Sequence, residues 1–94
     1  MSKFASTLNK GFQLTFENGL TISVQFGKGN YCANRNKEDD KDFTESPNAE
    51  VSIWDKDNQA AVIDGLECLG WETTDRVAEL IFKTKNAKSI LDIK

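Results

Sequence analysis

The fold is decided by the stretch 12–26, which reads FQLTFENGLTISVQF. Apolar and polar residues alternate on both sides of an Asn-Gly pair, and this pattern predicts a β-hairpin. A three-residue loop, 17–19, pairs Phe16 with Leu20 and puts all seven apolar side chains on one face. A two-residue turn would split them between two faces, so burial favours the longer loop, with Gly19 in the left-handed conformation.

Alternation resumes after a polar stretch and predicts a second hairpin over 51–63, in which 59–64 supply the second strand. Residues 65–70 are expected to form an irregular connection. Thr73 and Thr74 precede Asp75 and predict the start of a helix over 74–85. The helix residues predicted to be buried are Val77, Ala78, Leu80, Ile81 and Phe82.

The expected architecture is α+β: an antiparallel sheet of about four strands, from two hairpins, with one C-terminal helix packed on one face. Residues 1–94 form a single domain, because chains divide only well above this length. Residues 34–48 contain no Val, Ile or Leu and predict a mobile acidic loop, with Phe43 as its apolar anchor. Residues 89–93 fit either an edge strand or a frayed tail.

The composition argues against several kinds of catalytic and metal-binding site. The absence of histidine removes Ser-His and Cys-His nucleophile pairs and histidine metal sites, and no spacing singles out a carboxylate pair. We therefore expect no catalytic residue, no metal site and no cofactor, and two reduced thiols, Cys32 and Cys68. The sequence contains no apolar run of the length that a membrane-spanning helix needs and no signal peptide, so we expect an intracellular protein without membrane contact.

Charge is unevenly distributed along the chain. Residues 31–75 carry twelve acids against four bases, whereas the segments before and after them are basic. An acidic centre argues against duplex nucleic acid as a partner, because binding it requires Lys and Arg to displace counterions. Solubility alone would explain such a surface. The small sheet is also expected to need a second copy to cover residual apolar surface, which favours a homo-oligomer.

The strongest candidate site follows the first hairpin, in the segment Gly27-Lys28-Gly29-Asn30-Tyr31-Cys32-Ala33-Asn34-Arg35. Glycines permit a backbone nest for an anion, and Lys28 and Arg35 add positive charge. Tyr31 offers a stacking face, while Asn30 and Asn34 carry the donor-acceptor pair that recognises base edges. The spacing matches neither a P-loop nor a dinucleotide fingerprint. The alternative is a strand-end turn in which Tyr31 packs beside the helix.

Two tryptophans and an acidic run are the remaining features that the sequence singles out. Trp54 falls on the polar side of its strand and is predicted either to extend the ligand site or to contact the 34–48 loop. Trp71 is predicted to hold the helix against the sheet. The acids Glu38, Asp39, Asp40 and Asp42 form either a solvated loop or a docking surface for a basic protein.

The run from Phe16 to Cys32, FENGLTISVQFGKGNYC, resembles small bacteriophage-encoded proteins. Two other blocks share the resemblance: Ala-Glu-Val-x-Ile-Trp-Asp, at 49–55, and Gly-Trp-x-Thr before a helix, at 70–73. The resemblance implies a phage origin, the cytoplasm of the infected bacterial host, and a non-catalytic counter-defence role. The leading hypothesis is a protein that sequesters a phosphate-bearing nucleotide signal at a subunit interface. The alternative is an acidic inhibitor of a host nuclease or other defence protein.

Overall fold

The computed structural model describes residues 2–8, 10–37 and 45–94 and contains one antiparallel sheet in the order β1-β2-β3-β4-β5. The strands are β1 (Lys3–Ser6), β2 (Gly11–Thr15), β3 (Thr21–Gln25), β4 (Asn48–Trp54) and β5 (Cys68–Thr73). Helix α1 (Thr74–Asn86) follows β5 directly, and a short 3-10 helix (Ile90–Asp92) comes after it. The α+β prediction is confirmed, with five strands in place of about four.

The first hairpin has the predicted register. Phe12 lies opposite Val24, and the Phe16 amide donates to the Leu20 carbonyl at 2.9 Å. Gly19 adopts φ +86° in the three-residue loop. The extra strand β1 pairs with the outer edge of β2, and its four residues carry too short a pattern to be recognised in the sequence.

The second hairpin forms only at its tip, which corrects the predicted strand over 59–64. Ala60 forms one isolated bridge with Trp54, and the chain then leaves the sheet. A turn at Asp64 and Gly65, both with positive φ, reverses its direction. The chain returns as β5, which occupies the rest of the same edge of β4. The expected irregular connection over 65–70 therefore contains the start of a strand.

Helix α1 packs on one side of β3, β4 and β5 through a narrow stripe. Val77, Leu80 and Thr84 are buried, and Ile81 is partly buried. These positions follow the three- and four-residue spacing of one helix face. Ala78 and Phe82 are exposed, so the predicted buried stripe was too wide. At the helix start the Thr73 hydroxyl accepts from the Arg76 amide at 3.2 Å.

Asn18, in the first hairpin loop, binds the C-terminal end of α1. Its Nδ2 donates to the carbonyl oxygens of Thr84 at 2.8 Å, Ala87 at 2.9 Å and Lys85 at 3.3 Å. Its Oδ1 accepts from the Leu20 amide at 3.0 Å. The last carbonyls of a helix have no hydrogen-bond donor within the helix, so the Asn18 side chain supplies the donor that they lack.

The core lies between the sheet and α1. Its members include Leu20, Ile22, Val24, Ala49, Val51, Ile53, Leu69, Val77, Leu80, Ile90 and Ile93. The stretch 89–93 is thus neither a strand nor a frayed tail, because its two isoleucines are buried in the core. No helix within the described ranges has the length and apolar character to cross a membrane. Phe43 and the central part of the predicted 34–48 loop lie outside the described residues.

Candidate functional site

The segment between β3 and the undescribed loop is fixed against the ends of β4 and β5. The Tyr31 amide donates to Glu50 Oε2 at 2.9 Å, and the Trp71 amide donates to the Tyr31 carbonyl at 2.8 Å. The Ala33 amide donates to Asn48 Oδ1 at 2.7 Å. Glu50 lies between two buried β4 residues, so its side chain is on the sheet face opposite α1. The segment therefore reaches the sheet on that opposite face.

An exposed aromatic stack is the central feature of the site. The rings of Tyr31 and Trp71 lie 5.8 Å apart between centroids, with 25° between their planes. The Arg35 guanidinium carbon lies 4.6 Å from the centre of the Tyr31 ring, within the range of a cation–π contact. Tyr31 is 43% exposed and Trp71 is 54% exposed. We refer to Tyr31, Trp71 and Arg35 together as the aromatic stack.

A β-bulge places Trp71 in the stack. The register of β4 and β5 shifts between Ala49 and Val51, so that β5 has an extra residue at this point. Trp71 has φ +53°, in the left-handed region that a bulky side chain rarely adopts. At the preceding position an added Cβ would lie 2.9 Å from the Tyr31 Cβ, so Gly70 allows Tyr31 to approach the strand closely.

The backbone of the glycine-containing turn bonds within the turn itself. The Gly27 amide donates to Asn30 Oδ1 at 3.0 Å, and the Gly29 amide donates to the Arg35 carbonyl at 2.9 Å. The Asn30 amide donates to the Gly27 carbonyl at 3.2 Å. These three amides therefore already have acceptors within the segment, which leaves fewer amides for the expected anion nest. The positive charges of the segment are on the side chains of Lys28 and Arg35.

The predicted site residues fall into two groups. Arg35 and Tyr31 are brought together in the stack, and Lys28 is exposed on the same turn. Asn30 instead supports the turn, because its Nδ2 donates to Glu50 Oε1 at 3.4 Å while its Oδ1 accepts from Gly27.

Asn34 is also a structural residue, since it is only 4% exposed. Its Nδ2 donates to the Phe26 carbonyl at 2.7 Å and to the Glu45 carbonyl at 2.9 Å. Its Oδ1 is buried and accepts no hydrogen bond from the residues that the structure describes. The side chain thus joins the two ends of the loop.

Trp54 lies on the predicted face, together with Glu50, but it is distant from the stack. The two residues are four positions apart on β4, which corresponds to about 13 Å along a strand. Trp54 pairs with Thr21 at the opposite end of the sheet. The structure therefore does not bring Trp54 to the same site. The four acids of the docking alternative, Glu38, Asp39, Asp40 and Asp42, lie outside the described residues.

Trp71 belongs to the aromatic stack, whereas the sequence predicts for it a contact between the helix and the sheet. It does not hold α1 to the sheet, because its ring stacks on Tyr31 on the opposite face. Gly70 is the available signal in the sequence, since a glycine inside a strand often marks a bulge or a close approach of another segment. The partner, however, is forty positions earlier in the chain, and only the fold reveals it.

The nearby thiol gives little sign of reactivity. Burial raises the pKa of Cys68, and the adjacent Glu50 carboxylate adds to the effect, although a hydrogen bond with Ser52 opposes it. A raised pKa leaves the thiol protonated and weakly nucleophilic near neutral pH. Among the described residues, no three carboxylate or thiol groups are close enough together to bind a metal ion.

The arrangement suits recognition of a flat, negatively charged molecule, with Trp71 as a stacking surface and Arg35 and Lys28 as cations. A comparison with protein-family models, with curated proteins and with solved structures finds no match to this chain.

Proposed function

We propose that this chain is a non-catalytic binding protein that holds a nucleotide-type ligand on the aromatic stack. The base lies on the exposed face of Trp71, and the phosphate contacts Arg35 and Lys28. The observation that carries the proposal is a tryptophan that is 54% exposed and at the same time held at φ +53°. Such a conformation costs free energy and is often retained at sites of function.

The dimensions of the stack support a ligand of this size. The Trp71 ring lies 5.8 Å from Tyr31, and the Arg35 guanidinium lies 4.6 Å from the same ring. The tryptophan ring and the guanidinium are therefore no farther apart than the sum of these distances, so a stacking surface and a cation lie on the same small patch. Stacking of one base on an aromatic side chain contributes about 1–3 kcal/mol.

The charge of the chain favours a small ligand over a polymer. The proposed site contains two cations, Arg35 and Lys28, whereas residues 31–75 as a whole are strongly acidic. Affinity for duplex nucleic acid rises with the number of phosphates neutralised, and two contacts contribute little. Together with the resemblance to phage proteins, this supports capture of a phosphate-bearing immune signal in an infected bacterium. A second copy of the chain, seated against the open side of the stack, would enclose the ligand.

The proposal is tested by calorimetry against AMP, a panel of cyclic dinucleotides and cyclic ADP-ribose isomers. We expect a saturable heat and a higher melting temperature with at least one of them, since ligands stabilise by mass action. Trp71→Asn should weaken that binding by about fivefold or more, the loss of one stacked base, while preserving the fold, because Asn tolerates positive φ. Arg35→Ala should weaken it by about tenfold, the effect of one charge-assisted contact.

Phe82→Ala is the matched control, because Phe82 is a second exposed aromatic residue but lies on α1. It should leave nucleotide affinity unchanged. The proposal fails if no member of the panel gives heat or a thermal shift, or if Trp71→Asn binds as tightly as the original chain. Native mass spectrometry with the bound nucleotide reports the number of copies and so tests the subunit interface separately.

A further inference from the structure

A groove lies beside α1, on the face of the sheet opposite the aromatic stack. It is open to solvent, has a volume of about 320 Å³, and lies between the start of α1 and strands β2 to β5. The apolar residues that line it are Phe12, Val24, Phe26, Ala49 and Val77. Its polar residues are Glu45, Ser46, Asn48, Glu72 and Thr74. We call this the α1 groove.

The charged residues that line the α1 groove, among those that the structure describes, are both acidic. Two carboxylates, Glu45 and Glu72, lie at its rim, and no Lys or Arg from residues 2–8, 10–37 or 45–94 lines it. Within the described chain the one recorded ion pair, Arg76 with Glu79, is elsewhere on α1. Glu72 is partly buried and takes part in no side-chain hydrogen bond among the described residues. An anionic ligand would be repelled from this rim, whereas a cation would gain an opposite charge.

The size and lining of the groove define the rest of the ligand. Small-molecule sites begin at about 300 Å³ and combine an apolar surface with a few polar groups. For comparison, an engineered apolar cavity of about 150 Å³ in another protein is large enough to bind benzene. We propose that the α1 groove binds a small organic cation with an apolar body, such as an arylalkyl ammonium ion. The aryl group occupies the apolar floor, and the ammonium group lies between the two carboxylates.

This site is distinct from the aromatic stack. In β5, Glu72 pairs with Ala49 on the α1 face, whereas the preceding Trp71 stacks on Tyr31 on the opposite face. A variant at Trp71 therefore removes the nucleotide surface without changing the groove. The two proposals can fail independently.

NMR titration of the full chain with 3-phenylpropylammonium tests the proposal. We expect saturable amide shifts centred on Val24, Ala49 and Val77, weaker binding of 3-phenylpropanol, and no binding of 3-phenylpropionate. Glu72→Gln should weaken ammonium binding by about fivefold, the order expected for a partly exposed ion pair, and leave alcohol binding unchanged. Trp71→Asn should leave ammonium binding unchanged.

Ala49→Leu supplies the matching steric test, because it adds volume to the groove floor. It should abolish binding of both the amine and the alcohol. If it fails to fold, Phe12→Ala at the partly buried wall should weaken both in parallel. The proposal is overturned by equal binding of amine, alcohol and carboxylate, by shifts that centre on the aromatic stack, or by an unaffected Glu72→Gln variant. The proposal would also be overturned if the chain has twice its monomer mass in solution and the groove amides are protected from hydrogen exchange by a second copy.

Discussion

Asn18→Ala tests the contact by which the first hairpin holds the end of α1. The substitution removes an amide nitrogen whose two hydrogens are shared among three carbonyls, at 2.8, 2.9 and 3.3 Å, and an acceptor at 3.0 Å. Each hydrogen bond contributes about 1 kcal/mol net, and water replaces part of the loss at exposed carbonyls. We expect the free energy of unfolding to fall by about 2 kcal/mol, which lowers the melting temperature by about 10 °C in a chain of this size.

Urea denaturation followed by far-UV circular dichroism measures the effect. The slope of the free energy of unfolding against urea concentration should stay unchanged if the unfolded state is unaltered. Asn18→Asp is the isosteric comparison, because it keeps an acceptor for Leu20 but places a negative charge against the helix C-terminus. It should be at least as destabilising as Asn18→Ala. Asn36→Ala, at an exposed position, is the control and should change stability little. The reasoning is refuted if Asn18→Ala costs less than about 0.5 kcal/mol, the level of an ordinary surface substitution.

Three further outcomes are expected. Gly11→Ala should lower the free energy of unfolding by about 3 kcal/mol or prevent folding, because the new Cβ would lie 2.0 Å from the Val24 carbonyl oxygen. Urea titration measures the effect, and a midpoint equal to that of the original chain would contradict it. Thr84→Val should stay within about 0.5 kcal/mol by the same measurement, because its hydroxyl donates to the Leu80 carbonyl, which already accepts a helix bond; a larger loss shows that the hydroxyl is needed. Iodoacetamide should alkylate Cys68 more slowly than free cysteine at about pH 8, because burial raises the pKa of its thiol; equal rates by peptide mass spectrometry would disprove it.

Local sequence signals predicted the elements whose determinants are close together in the chain. The register of the first hairpin follows from one alternating stretch and one glycine, Gly19, which has the required positive φ. The start of α1 follows from Thr73, whose hydroxyl caps the helix as its position suggests. The hairpin register depends on which side chains share one face, and the helix start depends on an acceptor for the first helix amides. Both are decided by residues close together in the chain, so they can be predicted without knowledge of tertiary contacts.

Elements that depend on distant partners were not predictable in this way. Strand β5 contains a bulge that interrupts its alternation, and its position is set by the free edge of β4. The same bulge turns Trp71 toward Tyr31, so a local reading could identify Tyr31 and Arg35 but not their third partner. The sequence places Asn34 in the ligand site because a carboxamide can recognise a base edge, whereas in the fold its Nδ2 donates to two backbone carbonyls of the loop.

The strands are joined in simple succession, and the helix that covers them comes after all five. During synthesis the neighbouring strands can pair as they emerge from the ribosome, since each contact is short in sequence. Their apolar side nevertheless stays open until residues 74–93 arrive. The nascent sheet therefore passes through a stage at which chaperones, or another nascent chain, compete with residues 74–93 for the same surface.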